Sequence, residues 1–153
     1  LRAAPDGTRR RHAIRTPLIA EELTMRILQP AGWPRPKGYA NGIEATGRLV
    51  IVGGQIGWDE TETFQSDDFV EQVRQTLRNT LAVLAEAGAG PEHVVRMTWY
   101  ITDRTEYLAR GREIGAVYRE LMGKNFPAMA MVQVVALMEA RAKVEIETTA
   151  VVP

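Results

Sequence analysis

The clearest pattern in the chain is an apolar line at helical spacing. Phe69, Val73, Leu77, Leu81 and Leu84 recur every three or four residues, which predicts an amphipathic helix over 68–87. Asp68 and Glu71 have the spacing of a capping box at its start, and Gly88 follows as a stop. A second helix is predicted from Asp103 through Met122. Asp103 and Glu106 form its candidate box, and Tyr107, Gly111, Ile114, Tyr118 and Leu121 its buried line. Gly111 and Gly115 each weaken such a helix by about 1 kcal/mol relative to alanine. Glycines of this kind often allow close backbone packing.

Strand patterns frame the two helices. Met25–Leu28 reads as a short strand and runs into a loop over 30–38 stiffened by Pro30, Pro34 and Pro36. Residues 42–45 and 49–52 flank Thr46-Gly47-Arg48, which predicts a hairpin. A loop over 58–67 precedes the first helix. Residues 94–101 and 128–134 read as strands. In the last strand, 142–151, Val144, Ile146, Thr148 and Ala150 share one face, and Lys143, Glu145, Glu147 and Thr149 the other. The order β, β, β, α, β, α, β, β is an α+β layout, a mixed sheet with two helices packed on one face. Two helices cover one side. If Val132 and Val134 point to the helices, the open side exposes Met129, Met131 and Gln133. An exposed apolar face marks an interface, so homo-oligomerisation is expected.

Composition narrows the chemistry. The 153 residues, 45% hydrophobic, suit one domain. Residues 1–24 carry five Arg against one Asp and two Glu, a net +2 that leaves −2 for residues 25–153. We read 1–24 as a disordered basic arm and 25–153 as the folded domain. The zero overall charge gives no global field to attract a polyanion, so nucleic acid is not expected as a partner; the Arg9–Arg11 run is the one feature in its favour. With no Cys, disulfides, thiol nucleophiles and iron–sulfur clusters are excluded, and two His rule out a His-rich metal centre. No metal and no cofactor are expected. No apolar run is long enough for a membrane helix, and a cytoplasmic protein is expected. His93, between Pro91 and a strand, reads as an exposed loop histidine. Gly53-Gly54 lacks the spacing of a phosphate-cradling loop before a helix.

Several longer strings are more specific. Tyr39-Ala-Asn-Gly42 and the run from Leu49 through Gly53-Gly54-Gln55 to Ile56 resemble the amino-terminal signature of the Rid (YjgF) family. The resemblance continues through residues 70–88, through His93 to Asp103, through Phe126-Pro-Ala-Met-Ala-Met-Val-Gln-Val134, and through Val144 to Ala150. It covers about residues 25–153. It implies a chorismate-mutase-like fold and a homotrimer with a central β-barrel, with clefts between subunits for a small-molecule ligand. It implies hydrolysis of reactive enamines and imines in the best-known subgroup; other members are described as endoribonucleases, translation inhibitors or ligand-binding proteins.

Carried over position by position, the resemblance is incomplete. The deaminase subgroup has Pro-Ala-Arg-Ser, whose Arg holds the substrate carboxylate; here the run is Pro127-Ala128-Met129-Ala130. A thioether cannot neutralise a carboxylate. The family's helix-borne Asn matches Gly115, and the Ser before its Gly-Gln pair matches Gly53. Tyr39 matches the cleft tyrosine, and Glu145 the carboxylate that positions water. A partly buried Glu with a raised pKa suits imine hydrolysis. On the residues alone, the pattern favours Glu145 as a solvated partner of Lys143; only the resemblance favours the cleft role and prefers Glu145 to Glu147, its rival on the same face. Met129 and Met131 read either as an apolar ligand wall or as core packing. Trp33 is a candidate lid, and Arg35 and Lys37 are candidate anchors for an anion.

Overall fold

A computed structural model describes residues 25–153; the basic arm over 1–24 lies outside the described residues. Four strands form the main sheet: β3 (Arg48–Ile56), β4 (Val94–Ile101), β5 (Ala128–Gln133) and β6 (Val144–Val152), in the order β3-β6-β4-β5. β6 runs antiparallel to both β3 and β4, and β4 and β5 are parallel. β1 (Met25–Leu28) and β2 (Gly42–Ala45) form a separate antiparallel pair. This corrects the expected hairpin. β2 turns back onto β1, across the proline loop, and β3 takes β6 as its partner, because β6 offers it a longer ladder.

Helix α1 (Phe69–Glu86) packs on β3 and β6. Its stripe is buried as the periodicity demands: Phe69, Val73, Leu77 and Leu84 are nearly inaccessible and Leu81 partly so. Burial of a large apolar side chain stabilises by roughly 1.5–3 kcal/mol, so this stripe is a main source of the fold's stability. The Asp68 carboxylate accepts the Glu71 N–H at 3.0 Å. The reciprocal half of the box is absent, because the Glu71 side chain lies toward Arg74. Asp103 likewise accepts the Glu106 N–H at 2.9 Å, while the Glu106 carboxylate takes Lys143 Nζ.

The second predicted helix is broken. It forms α2 (Arg104–Ala109) and α3 (Gly111–Met122), which meet at Arg110. Two causes coincide there. Gly111 is a poor helix former, and the Arg110 guanidinium is held sideways by Asp68 at 2.9 Å and by both oxygens of Glu113 at 2.7 Å. Ile114, Val117, Tyr118 and Met122 supply the buried face of α3. Gly111 is exposed instead, and Tyr107 and Leu121 are half-buried.

Helices α1 and α3 cover one face of the sheet, where Val144, Ile146, Thr148 and Ala150 of β6 meet them. Buried Gln72 fixes α1 to the approach of β6. Its amide donates to the carbonyls of Ser66 and Arg141 at 3.1 and 2.9 Å, and its oxygen accepts the Lys143 N–H at 2.8 Å. All its polar atoms are paired, so its burial carries little penalty. The other face is open and exposes Leu49 and Ile51 of β3 and Val132 of β5.

Strand β5 sits the other way round from the expectation. Its parallel register pairs Met97 with Met129 and Trp99 with Met131. Met97 and Trp99 belong to the core, so Met129 and Met131 face the helices and pack against it. The apolar open face is real, but Ala130 and Val132 supply its β5 part, not Met129 and Met131.

Candidate functional site

A cavity of about 680 Å³ opens between α3, the edge strand β5 and residues 37–39. Three local features build it. The backbone N–H of Ala40 donates to the Pro127 carbonyl at 2.9 Å, and Ala40 bridges Ala128. That stitch holds Tyr39 beside the start of β5. The register of β5 sets Met129 and Met131 on the floor beside Trp99. Helix α3 presents Gly111, Ile114, Gly115 and Tyr118, successive members of one helix face.

The walls are aromatic and apolar. The Tyr118 and Phe126 rings stack at 5.8 Å, and Tyr118 donates its hydroxyl to the Asn125 carbonyl at 2.6 Å. Burial pushes the phenols of Tyr118 and Tyr107 up, so neither supplies a negative charge near neutral pH. Trp99 is nearly inaccessible, and its indole N–H has no partner among the described residues. Among the described residues, the charged ones lining the cavity are Lys37 and Arg119, and no carboxylate lines it.

Glu145 lies elsewhere. It alternates with core-facing Val144 and Ile146 on β6, so its side chain stands on the open face of the sheet. There it is opposite Tyr100 of β4 and Ile56 of β3, half-buried, with its carboxylate packed on Gly54. The register of β3 against β6 shifts between Val52 and Gln55, at the Gly53-Gly54 pair. A side chain at Gly53 would meet open space, whereas one at Gly54 would overlap the Glu145 carboxylate. Glu147, two residues on, accepts the Tyr100 hydroxyl at 3.0 Å. Lys143 pairs with Glu106 at 3.4 Å rather than with Glu145.

The structure therefore brings together Tyr39, Gly115, Met129 and Met131. It leaves Gly53 and Glu145 on the opposite face of the sheet. Lys37 lines the cavity; Arg35 lines a smaller neighbouring one of about 380 Å³. Trp33 is exposed and lines neither. His93 is half-buried, not exposed, because its Nδ1 accepts the Gly90 N–H at 2.9 Å and closes the turn Pro91–His93. Among the described residues no group of three His, Asp or Glu is placed to hold a metal ion.

Sequence reasoning missed Arg119, Trp99 and Phe126 as lining residues. A signal for Arg119 was present: it stands four residues after Gly115, on the same side of the helix.

Residues 34–152 match the family model described as Endoribonuclease L-PSP. The chain belongs to the Rid (YjgF) family. This Rid chain is 36% identical over 134 residues to a RutC family protein of Synechocystis, covering 86% of the chain and 99% of that relative. It is 28% identical over 130 residues to the human 2-iminobutanoate/2-iminopropanoate deaminase, covering 84% and 91%. Among solved structures it is similar to a Rid protein of unknown function from Yersinia pestis, with a TM-score of 0.75 and 27% identity, covering 85% of this chain and all of that one. The Rid fold is thus the α+β, chorismate-mutase-like one. No helix among the described residues is long and apolar enough to cross a membrane.

Proposed function

We propose that the cavity is half of a small-molecule cleft, completed in a homotrimer by the open sheet face of a neighbouring copy. On this reading Glu145, Gly53 and Gly54 of one copy face Tyr39, Met129 and Met131 of the next. The observation that carries it is the separation of these groups in one chain: no carboxylate of the described residues lines the cavity, and Glu145 stands across the sheet from it. The exposed Leu49, Ile51 and Val132 give the open face apolar surface to bury against a partner.

The chemistry is hydrolytic deamination of an imine or enamine; the human relative is named a 2-iminobutanoate/2-iminopropanoate deaminase. Glu145 takes a proton from a water molecule, whose oxygen adds to the imine carbon. The carboxyl returns the proton to nitrogen to give a carbinolamine; a second proton then passes from its hydroxyl to the amine, the C–N bond breaks as the carbonyl forms, and ammonia leaves with a ketone or ketoacid as the other product. Met129 removes the cation that would hold a carboxylate at the strand, so 2-aminoacrylate is not the preferred substrate.

A second reading is a non-catalytic trimer that binds a metabolite. Met129, Gly53 and Gly115, all without hydrogen-bonding side chains to aim at a ligand, favour it. RNA cleavage is the weaker reading, since residues 25–153 carry a net −2.

Ammonia release from freshly generated 2-aminoacrylate and 2-iminopropionate decides among these, using wild type and Met129→Arg. The expected result is little turnover by the wild type and a gain in the variant. Robust wild-type turnover overturns the role given to Met129. Activity in neither protein favours the binding reading.

A further inference from the structure

We propose that the cavity takes organic acids bearing a large apolar or aromatic group, and that Arg119, with Lys37 beside it, holds the acid group. This rests on the reading of the cavity as a ligand cleft and names its ligand class. The anion anchor has moved from strand β5 to helix α3.

Three observations support it. First, Lys37 and Arg119 line the cavity, and neither makes an ion pair with another described residue. Other arginines nearby are engaged: Arg110 holds Asp68 and Glu113, and Arg74 holds Glu120. A guanidinium without a carboxylate partner, at the edge of an apolar cavity, presents a planar fork suited to an incoming carboxylate.

Second, Gly115 makes room for that guanidinium. Arg119 Nη1 lies 3.3 Å from where a Cβ at Gly115 would stand. An alanine there would move the guanidinium by a few tenths of an ångström, and a longer side chain would compete with it for the same space. The glycine and the arginine, one helical turn apart, form one device: the bare helix face lets the guanidinium fold back over α3 toward the cavity.

Third, the rest of the wall suits a bulky apolar group. Trp99, Tyr118, Phe126, Met129 and Met131 surround a space of about 680 Å³. That is in the volume range of small-molecule pockets, before any part that a neighbouring copy fills. Methionines adapt to aromatic rings through soft sulfur contacts. The Trp99 ring forms part of this wall.

Calorimetric titration of the full-length protein with three matched compounds tests the proposal. Phenylpyruvate has both the ring and the carboxylate, pyruvate lacks the ring, and phenylacetone lacks the carboxylate. Phenylpyruvate is expected to bind at least about tenfold more tightly than either of the others. Arg119→Met, checked for an unchanged melting temperature, is expected to lose about tenfold for phenylpyruvate and nothing for phenylacetone. One of the three indole N–H resonances should shift with phenylpyruvate and be missing in Trp99→Phe. Equal affinity of wild type and Arg119→Met, pyruvate binding as tightly as phenylpyruvate, or no phenylpyruvate binding each overturn it. Arg119-dependent binding with no ammonia release from any imine leaves this inference standing and removes the catalytic reading. Turnover of 2-aminoacrylate without phenylpyruvate binding does the reverse.

Discussion

The Glu145 carboxylate occupies the space that any side chain at Gly54 would fill. The glycine sits where the β3–β6 register shifts, so the irregularity in the ladder and the seat of the carboxylate are one feature. Gly54→Ala should push the carboxylate aside. Ammonia release from the best imine substrate is expected to fall as far as it does in Glu145→Gln. Thermal unfolding should show a smaller loss, about 1–3 kcal/mol, typical of an overpacked site. Unchanged activity in Gly54→Ala would remove the link between this seat and the reaction.

Asp68 does two things at the start of α1. It caps the helix through the Glu71 N–H and binds the Arg110 guanidinium that sits at the break between α2 and α3. Asp68→Ala is expected to cost about 1–2 kcal/mol in urea unfolding, the upper range for a lost cap. Glu113→Ala, which leaves the cap intact, should cost less.

Acid should destabilise the fold partly through Asp59. The Thr61 hydroxyl, the Gln65 amide and the backbone N–H groups of Thr61 and Thr63 all donate to its carboxylate, and hold it down from 3.8 to about 2. A carboxylate lowered in the folded state adds stability above its unfolded pKa and loses it as pH falls through the folded value. Asp68, lowered chiefly by Arg110, acts in the same direction. Unfolding midpoints of wild type and Asp59→Asn should differ near neutral pH and converge between about pH 4 and pH 2. Parallel curves through that range would contradict this.

Leu77 is fully buried at the middle of the α1 stripe. Leu77→Ala is expected to cost about 2–5 kcal/mol, whereas exposed Leu108→Ala should be near neutral, by chemical denaturation.

The helices and the alternation of β6 were legible because one face of each is buried and period alone reports it. Phe69 to Leu84 and Val144 to Ala150 lie as their spacing requires. The orientation of β5 was not legible. Met129-Ala-Met-Val132 carries apolar residues on both faces, so period gives no preference, and only the register against Met97 and Trp99 decides. The hairpin failed for a similar reason: the turn at Thr46-Gly47-Arg48 is local, but the choice of β6 over β2 as partner of β3 is made across the chain. The cavity was half legible. Tyr39, Gly115 and Met129 came from the resemblance, whereas Arg119 depends on where a flexible side chain folds.

The central claim is that the cleft is built between copies, since one chain holds its cavity and Glu145 on opposite faces of one sheet. Light scattering on the purified protein at micromolar concentration tests this most directly. A mass about three times the 17.0 kDa of one chain is predicted. A mass of 17.0 kDa would contradict it, because a lone chain cannot bring Glu145 to the ligand.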